Sequence, residues 1–65
     1  MKVWAVIRLL EQDGWYLDRQ SGSHRQFRHP TRRGTVTVPG NLGAELKRGT
    51  LASVFRQAGL QRRIR

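Results

Sequence analysis

The side chains best suited to moving a proton are two histidines, His24 and His29, and the chain has no cysteine. Histidine is the side chain whose ordinary titration range spans neutral pH, which suits acid/base catalysis. The absence of cysteine removes thiol nucleophiles and thiolate metal ligands. The candidates for general acid/base chemistry are therefore the two imidazoles.

The two histidines lie five positions apart in a segment, residues 24–29, that reads as a β-strand. Because successive strand residues face opposite sides, the two imidazoles cannot act as a pair unless a bulge intervenes. His29 shares the side of Phe27 near a turn, and we predict a structural role for it. His24 lies on the polar side, directly after a Gly-Ser turn. It is the catalytic candidate, although an inert surface histidine would show the same pattern.

The residues around His24 suit a phosphodiester substrate, which needs a proton shuttle beside donors for the phosphate oxygens. The turn offers backbone amides and the Ser23 hydroxyl. Arg25 nominally points inward, so Arg28 is the better candidate for the cation. The predicted site therefore has His24 as the catalytic residue, and its predicted substrate-binding residues are Gly22, Ser23, Gln26, Arg28 and Arg25.

Other kinds of site have little support in the sequence. The four carboxylates form no metal-binding motif and no paired acid/base motif. Ser21 and Ser23 have no histidine and acid partners that the sequence reveals, so a hydrolase triad has no basis. We predict neither a metal nor another cofactor.

The composition points to a phosphate-bearing partner. Thirteen Lys and Arg residues face four Asp and Glu, which gives a formal net charge of +9, and eleven of the thirteen are arginine. Arginine presents a planar fork of donors that matches phosphate oxygens. The longest apolar run near the start, residues 3–7, is too short to span a membrane, and no signal-peptide pattern surrounds it. We expect one small cytoplasmic domain that does not act at a membrane.

Two segments have the apolar spacing of helices. In residues 3–13 the stripe is followed by Gly14, which is typical of a helix end. In the second segment Thr50 is the predicted N-cap, and Gly59 is the predicted stop. Residues 39–49 read as a loop. The apolar stripes consist of Val3, Val6, Ile7 and Leu10 in the first helix and Leu51, Val54, Phe55 and Ala58 in the second.

Between the helices, three runs alternate with the period of strands: residues 15–20, 24–29 and 35–38. A three-residue loop at 21–23 would pair Leu17 with Phe27 on the inner face, and a four-residue loop at 30–33 would set Phe27 against Val36. The predicted fold is α+β with the order α-β-β-β-α, in which two helices cover one face of a three-stranded antiparallel sheet. The predicted outer face carries Tyr16, Asp18, Gln20, His24, Gln26 and Arg28.

Several spaced motifs give the chain a family resemblance. They recur in order over about residues 2–60, and the chain resembles the HicA toxins, also described as YcfA-like proteins. We assign residues 1–60 to a HicA-like domain and residues 61–65 to a basic tail. The motifs are Gly14-Trp15, Gly22-Ser23-His24, Phe27, Val36-Thr37-Val38-Pro39, Gly49-Thr50-Leu51 and Ala58-Gly59-Leu60.

The resemblance implies a fold like the double-stranded-RNA-binding domain and a metal-independent ribonuclease that cleaves mRNA, with His24 essential. It also implies a HicB-type antitoxin that covers this histidine, and contact with DNA only indirectly, through the antitoxin. One departure concerns the end of the third strand, where many relatives carry a histidine and this chain has Gly40-Asn41.

Two other functions fit the same composition. A basic module can bind RNA through arginine and cut nothing, and incubation with labelled RNA distinguishes it from a nuclease. An adaptor can instead dock its basic face on an acidic protein, and a salt titration separates that case, because phosphate neutralisation gives a steep logarithmic slope.

Overall fold

A computed structural model of the chain describes residues 1–60, and the tail assigned to residues 61–65 lies outside the described residues. The predicted order α-β-β-β-α and the antiparallel sheet are confirmed, with the strands in the order β1-β2-β3. Neither helix in the described part of the chain has the length and apolar content that a bilayer span requires. The elements are α1 (Val3–Gln12), β1 (Tyr16–Ser21), β2 (His24–Arg28), β3 (Val36–Val38) and α2 (Arg48–Ala58).

Helix α1 begins against a loop and ends at a glycine. The amide of Val3 donates to the carbonyl of Ala44 at 2.9 Å, so the loop that follows β3 satisfies a donor at the helix start that no side chain caps. At the other end, Gly14 has φ +100° and the amide of Trp15 donates to the carbonyl of Leu10 at 3.0 Å. This is the hydrogen bond of a Schellman motif, and both side chains are buried. The end predicted at Gly14 is confirmed.

Helix α2 ends as predicted but begins earlier. Its N-cap is Lys47, which makes no side-chain capping bond, so the prediction that Thr50 caps the helix is wrong. Thr50 lies inside the first turn because the backbone already becomes helical at Arg48. At the C-terminus Gly59 takes φ 70°, and the amide of Leu60 donates to the carbonyl of Phe55 at 2.8 Å. Gly59 and the buried Leu60 therefore end the helix as predicted.

The β1–β2 hairpin contains a bulge that the sequence prediction lacks. Leu17 pairs with Phe27 as predicted, but the register then shifts, so that Arg19 lies opposite Gln26 and Asp18 has no partner of its own. The predicted three-residue loop is wrong, because the turn has only two residues, 22 and 23, and Ser21 pairs with His24.

The bulge changes which residues share the outer face. Since directly paired residues project to the same side, Arg19 and Ser21 lie on the face of His24, whereas Gln20 lies on the other face, opposite Arg25. The predicted place of Gln20 on the outer face is therefore wrong. Asp18 is an exposed residue at the bulge.

The β2–β3 connection spans residues 29–35 rather than 30–33, although Phe27 pairs with Val36 as predicted. His29 lies outside the ladder, and its side chain bonds to backbone groups of Asp13, Thr31 and Arg32. Every residue of β1 is exposed, and Leu17 is 48 % exposed despite its pairing with Phe27. The core is therefore formed by the helices, β2, β3 and three residues of the adjoining segments, and β1 contributes no buried residue. The core contains Val3, Val6, Leu10, Trp15, Phe27, Val36, Val38, Leu46, Val54, Phe55, Ala58 and Leu60.

Candidate active site

His24 is the first residue of β2 and is exposed to solvent. It follows the turn directly and lies opposite Ser21, at the end of the ladder. The inner face of the sheet buries Phe27, Val36 and Val38, so His24 lies on the face that the core does not cover. This placement leaves the imidazole accessible to a large substrate.

The turn before His24 is shaped by a glycine. Gly22 has φ +58°, and Ser23 has a negative φ, which is the pattern of a type II′ turn with glycine at its first central position. A Cβ built at Gly22 meets nothing within 4 Å, so the glycine is needed for its backbone angle rather than for space. The side-chain amide of Gln20 donates to the Gly22 carbonyl at 3.0 Å. Ser23 is half-buried.

The outer face beside His24 carries two arginines. Arg28 is exposed at the far end of β2, opposite Tyr16, and Gln26 is half-buried between His24 and Arg28. Arg19, which sequence reasoning did not assign to the site, lies opposite Gln26 and is exposed. A Gly-Ser pair read as a two-residue hairpin turn would have paired Ser21 with His24 and brought Arg19 to this face.

Arg25 lies on the other face of β2 from His24, as its inward direction predicted. Its guanidinium Nη1 donates to the carbonyl of Gly40 at 2.8 Å and to that of Ser23 at 3.3 Å. These bonds tie the loop after β3 to the residue preceding His24. Among the predicted site residues, the structure thus brings Gly22, Ser23, Gln26 and Arg28 to the turn and face of His24, and it gives Arg25 backbone partners behind them.

His29 has the structural role that the sequence predicts. Its Nδ1 accepts hydrogen bonds from the amides of Thr31 at 3.1 Å and Arg32 at 3.2 Å, so we assign the proton to Nε2, which then donates to the carbonyl of Asp13 at 2.8 Å. The ring also packs edge-on against Trp15, with 5.1 Å between centroids. All of these contacts lie away from His24.

The carboxylates do not assemble into a metal site. Within residues 1–60, no group of three or more His, Asp or Glu side chains is close enough to hold an ion. Asp13 accepts from Arg32 at 2.7 Å, and the N-terminal ammonium beside Glu45 lowers the pKa of that carboxyl. Both interactions connect elements of the fold rather than groups at the His24 face.

A comparison with models of known protein families identifies the family of this chain. The model described as HicA toxin of bacterial toxin-antitoxin matches residues 5–60 of 65. The chain belongs to the HicA toxin family. The matched residues include the turn, His24 and both arginines of the outer face. A separate search of curated proteins found no similar protein. This HicA family member is therefore a toxin of a toxin-antitoxin system, and an antitoxin is its expected counterpart.

Proposed function

We propose that this toxin is a metal-independent endoribonuclease that cleaves mRNA and thereby stops translation, with His24 as its general acid/base. The observation that carries the proposal is an exposed histidine at the end of an open sheet face that also bears Arg19 and Arg28, in a chain with a formal net charge of +9. Phosphate-rich RNA is the partner that such a charge favours.

The chemistry requires one proton acceptor next to a ribose. His24 takes the proton of a 2′-hydroxyl while that oxygen attacks the adjacent phosphorus. The bond from phosphorus to the 5′-oxygen breaks, and the departing oxygen takes a proton from water, which has access because His24 is exposed. The products are a 2′,3′-cyclic phosphate and a 5′-hydroxyl. This route uses the 2′-hydroxyl as the nucleophile, so the protein needs no nucleophile of its own.

The residues around His24 supply the donors that the phosphate needs. The backbone amides of the Gly22-Ser23 turn and the Ser23 hydroxyl are next to His24 in sequence, and Gln26 and Arg28 follow along the same face. Arg25 contributes indirectly, because its bonds to the carbonyls of Ser23 and Gly40 fix the backbone under the turn. Donors held in place by the fold stabilise developing negative charge better than mobile water does.

The small number of catalytic groups limits the rate. A single placed acid or base contributes on the order of a hundredfold to ten-thousandfold. We therefore expect slow cleavage compared with nucleases that combine a metal or two acid/base residues.

The test is incubation of the purified protein with end-labelled RNA, and with DNA of the same sequence, in EDTA. We expect the RNA to be cut, leaving 2′,3′-cyclic phosphate ends, and the DNA to remain intact because it lacks the 2′-hydroxyl. His24→Ala should fold and still bind RNA but not cleave it. Arg8→Ala, which removes an exposed charge on α1, is the matched control and should cleave normally.

Three results would contradict the proposal. RNA that is bound but left intact by the parent protein would identify a binding module without catalysis. Cleavage abolished by EDTA would rule out the metal-free route. Undiminished cleavage by His24→Ala would remove His24 from the mechanism.

We propose that a HicB-type antitoxin inhibits the toxin in the cytoplasm by covering the His24 face. A complementary acidic surface would block this face most simply, because it satisfies the same cations that bind RNA. Contact with DNA would then come only through the antitoxin. The purified pair should not cleave RNA, and full cleavage by the pair would refute masking.

A further inference from the structure

We propose that Arg19 is the cation that holds the scissile phosphate beside His24. The inference rests on the proposed ribonuclease function and adds to it a substrate-binding residue. The observation that carries it is the bulge at Asp18, which turns Arg19 onto the face of His24. Bulges occur often next to active sites, where they redirect a side chain.

The ladder on both sides of the bulge fixes the direction of Arg19. Leu17 pairs with Phe27 on the inner face, so a regular strand would also put Arg19 on the inner face. The extra residue, Asp18, reverses this alternation, and Arg19 pairs with Gln26 instead. Without the bulge, Asp18 would lie opposite Gln26, at the position where the face of His24 now presents an arginine.

Distance along the sheet favours Arg19 over Arg28. Arg28 lies four residues from His24 on the same strand, which at strand spacing is about 13 Å between Cα atoms. Arg19 is a diagonal neighbour of His24, since it lies opposite Gln26, and such neighbours are about 7–8 Å apart. A phosphate in contact with His24 is therefore within reach of the Arg19 guanidinium, whereas Arg28 is placed for a neighbouring phosphate.

Arg19 is also available to a ligand. In the described part of the chain its guanidinium forms no hydrogen bond and no ion pair, and the residue is exposed. Arg25 and Arg32, in contrast, donate to backbone carbonyls or to Asp13. An arginine without a protein partner next to the candidate general base can give both of its fork nitrogens to one phosphate.

The decisive variant exchanges two neighbours. Arg19→Gln combined with Gln20→Arg keeps the composition and the net charge but moves the arginine to the other face. Because the exchange also removes the bond from Gln20 to the Gly22 carbonyl, Gln20→Ala measures the effect of losing that bond alone. We expect kcat/KM for RNA cleavage to fall about ten- to a hundredfold, as after loss of one charge-assisted contact. The kcat/KM of Arg19→Ala should fall by the same factor, and that of Arg19→Lys should fall less. The kcat/KM of Arg8→Ala should equal that of the parent. A melting temperature like the parent's shows that each variant folds.

A binding measurement checks the contact independently. For Arg19→Ala, the slope of log Kd against log salt with a single-stranded RNA should decrease by about 0.7, which corresponds to one phosphate. Parental cleavage by the exchange variant, or an equal loss in Arg8→Ala, would overturn the role of Arg19. If His24→Ala is inactive at the same time, the proposed function stands. A parent protein that does not cut RNA would instead refute the function itself.

Discussion

His29→Ala separates the structural histidine from the catalytic candidate. The substitution removes the bond from Nε2 to the Asp13 carbonyl, the two amide bonds to Nδ1 and the edge-on contact with Trp15. At about 1 kcal/mol for the half-buried bond, about 1 for the two exposed bonds together and about 0.5–1 for the ring contact, the loss is about 2–3 kcal/mol.

This loss is large for a domain of this length. At about 0.05–0.15 kcal/mol per residue, the whole chain has a free energy of unfolding of about 3–10 kcal/mol. His29→Ala should therefore lower the melting temperature by on the order of 10–20 °C. His24→Ala should change it little, because the His24 side chain is exposed.

Urea and thermal unfolding followed by circular dichroism measure both variants. In His29→Ala any loss of toxicity should be proportional to the fraction of unfolded protein. The cleavage rate per folded molecule should equal that of the parent. A melting temperature equal to the parent's in His29→Ala would refute the structural reasoning. The same would follow if His24→Ala were the less stable variant.

Two further substitutions test the backbone. Gly14→Ala should destabilise the protein by at least about 1–2 kcal/mol, because φ is +100° and the added Cβ would lie 2.7 Å from Nε2 of His29; an unchanged urea midpoint would contradict this. Lys47→Asp should stabilise the protein by about 1 kcal/mol, because Lys47 is an N-cap without a capping bond and no acid lies in the first turn of α2. Arg8→Ala is the neutral surface control. A lower urea midpoint for Lys47→Asp would show that the missing cap at the start of α2 does not limit the stability of the protein.

The sequence predicted correctly those parts of the fold in which the residue types strongly restrict the backbone angle or the strand register. Gly14 and Gly59 end the helices where predicted because both take positive φ, which glycine adopts without steric cost. Phe27 and Val36 pair as predicted because a slip by one residue would expose the core face. The structural role of His29 followed from its position near a turn.

The errors arose where many residue types are tolerated. Asp18 occupies a bulge that needs no special residue, so the sequence did not mark the bulge. The face of Arg19 was missed because the loop was given three residues, although a Gly-Ser pair favours a two-residue turn. Thr50 is a good capping residue, but the helix begins three residues earlier than predicted, with Lys47 as its N-cap, directly after a loop whose backbone bonds to residues 1–4. Leu17 has the period of a core residue, yet it lies on a strand whose residues are all exposed.

The role of His24 as general acid/base is tested by the single-turnover rate of RNA cleavage by the parent and by His24→Ala, with protein in excess over labelled RNA. Saturating protein separates the chemical step from binding. We predict that His24→Ala binds RNA with an unchanged Kd, melts like the parent and cleaves at least about a hundredfold more slowly. Equal single-turnover rates in the two folded proteins would contradict it.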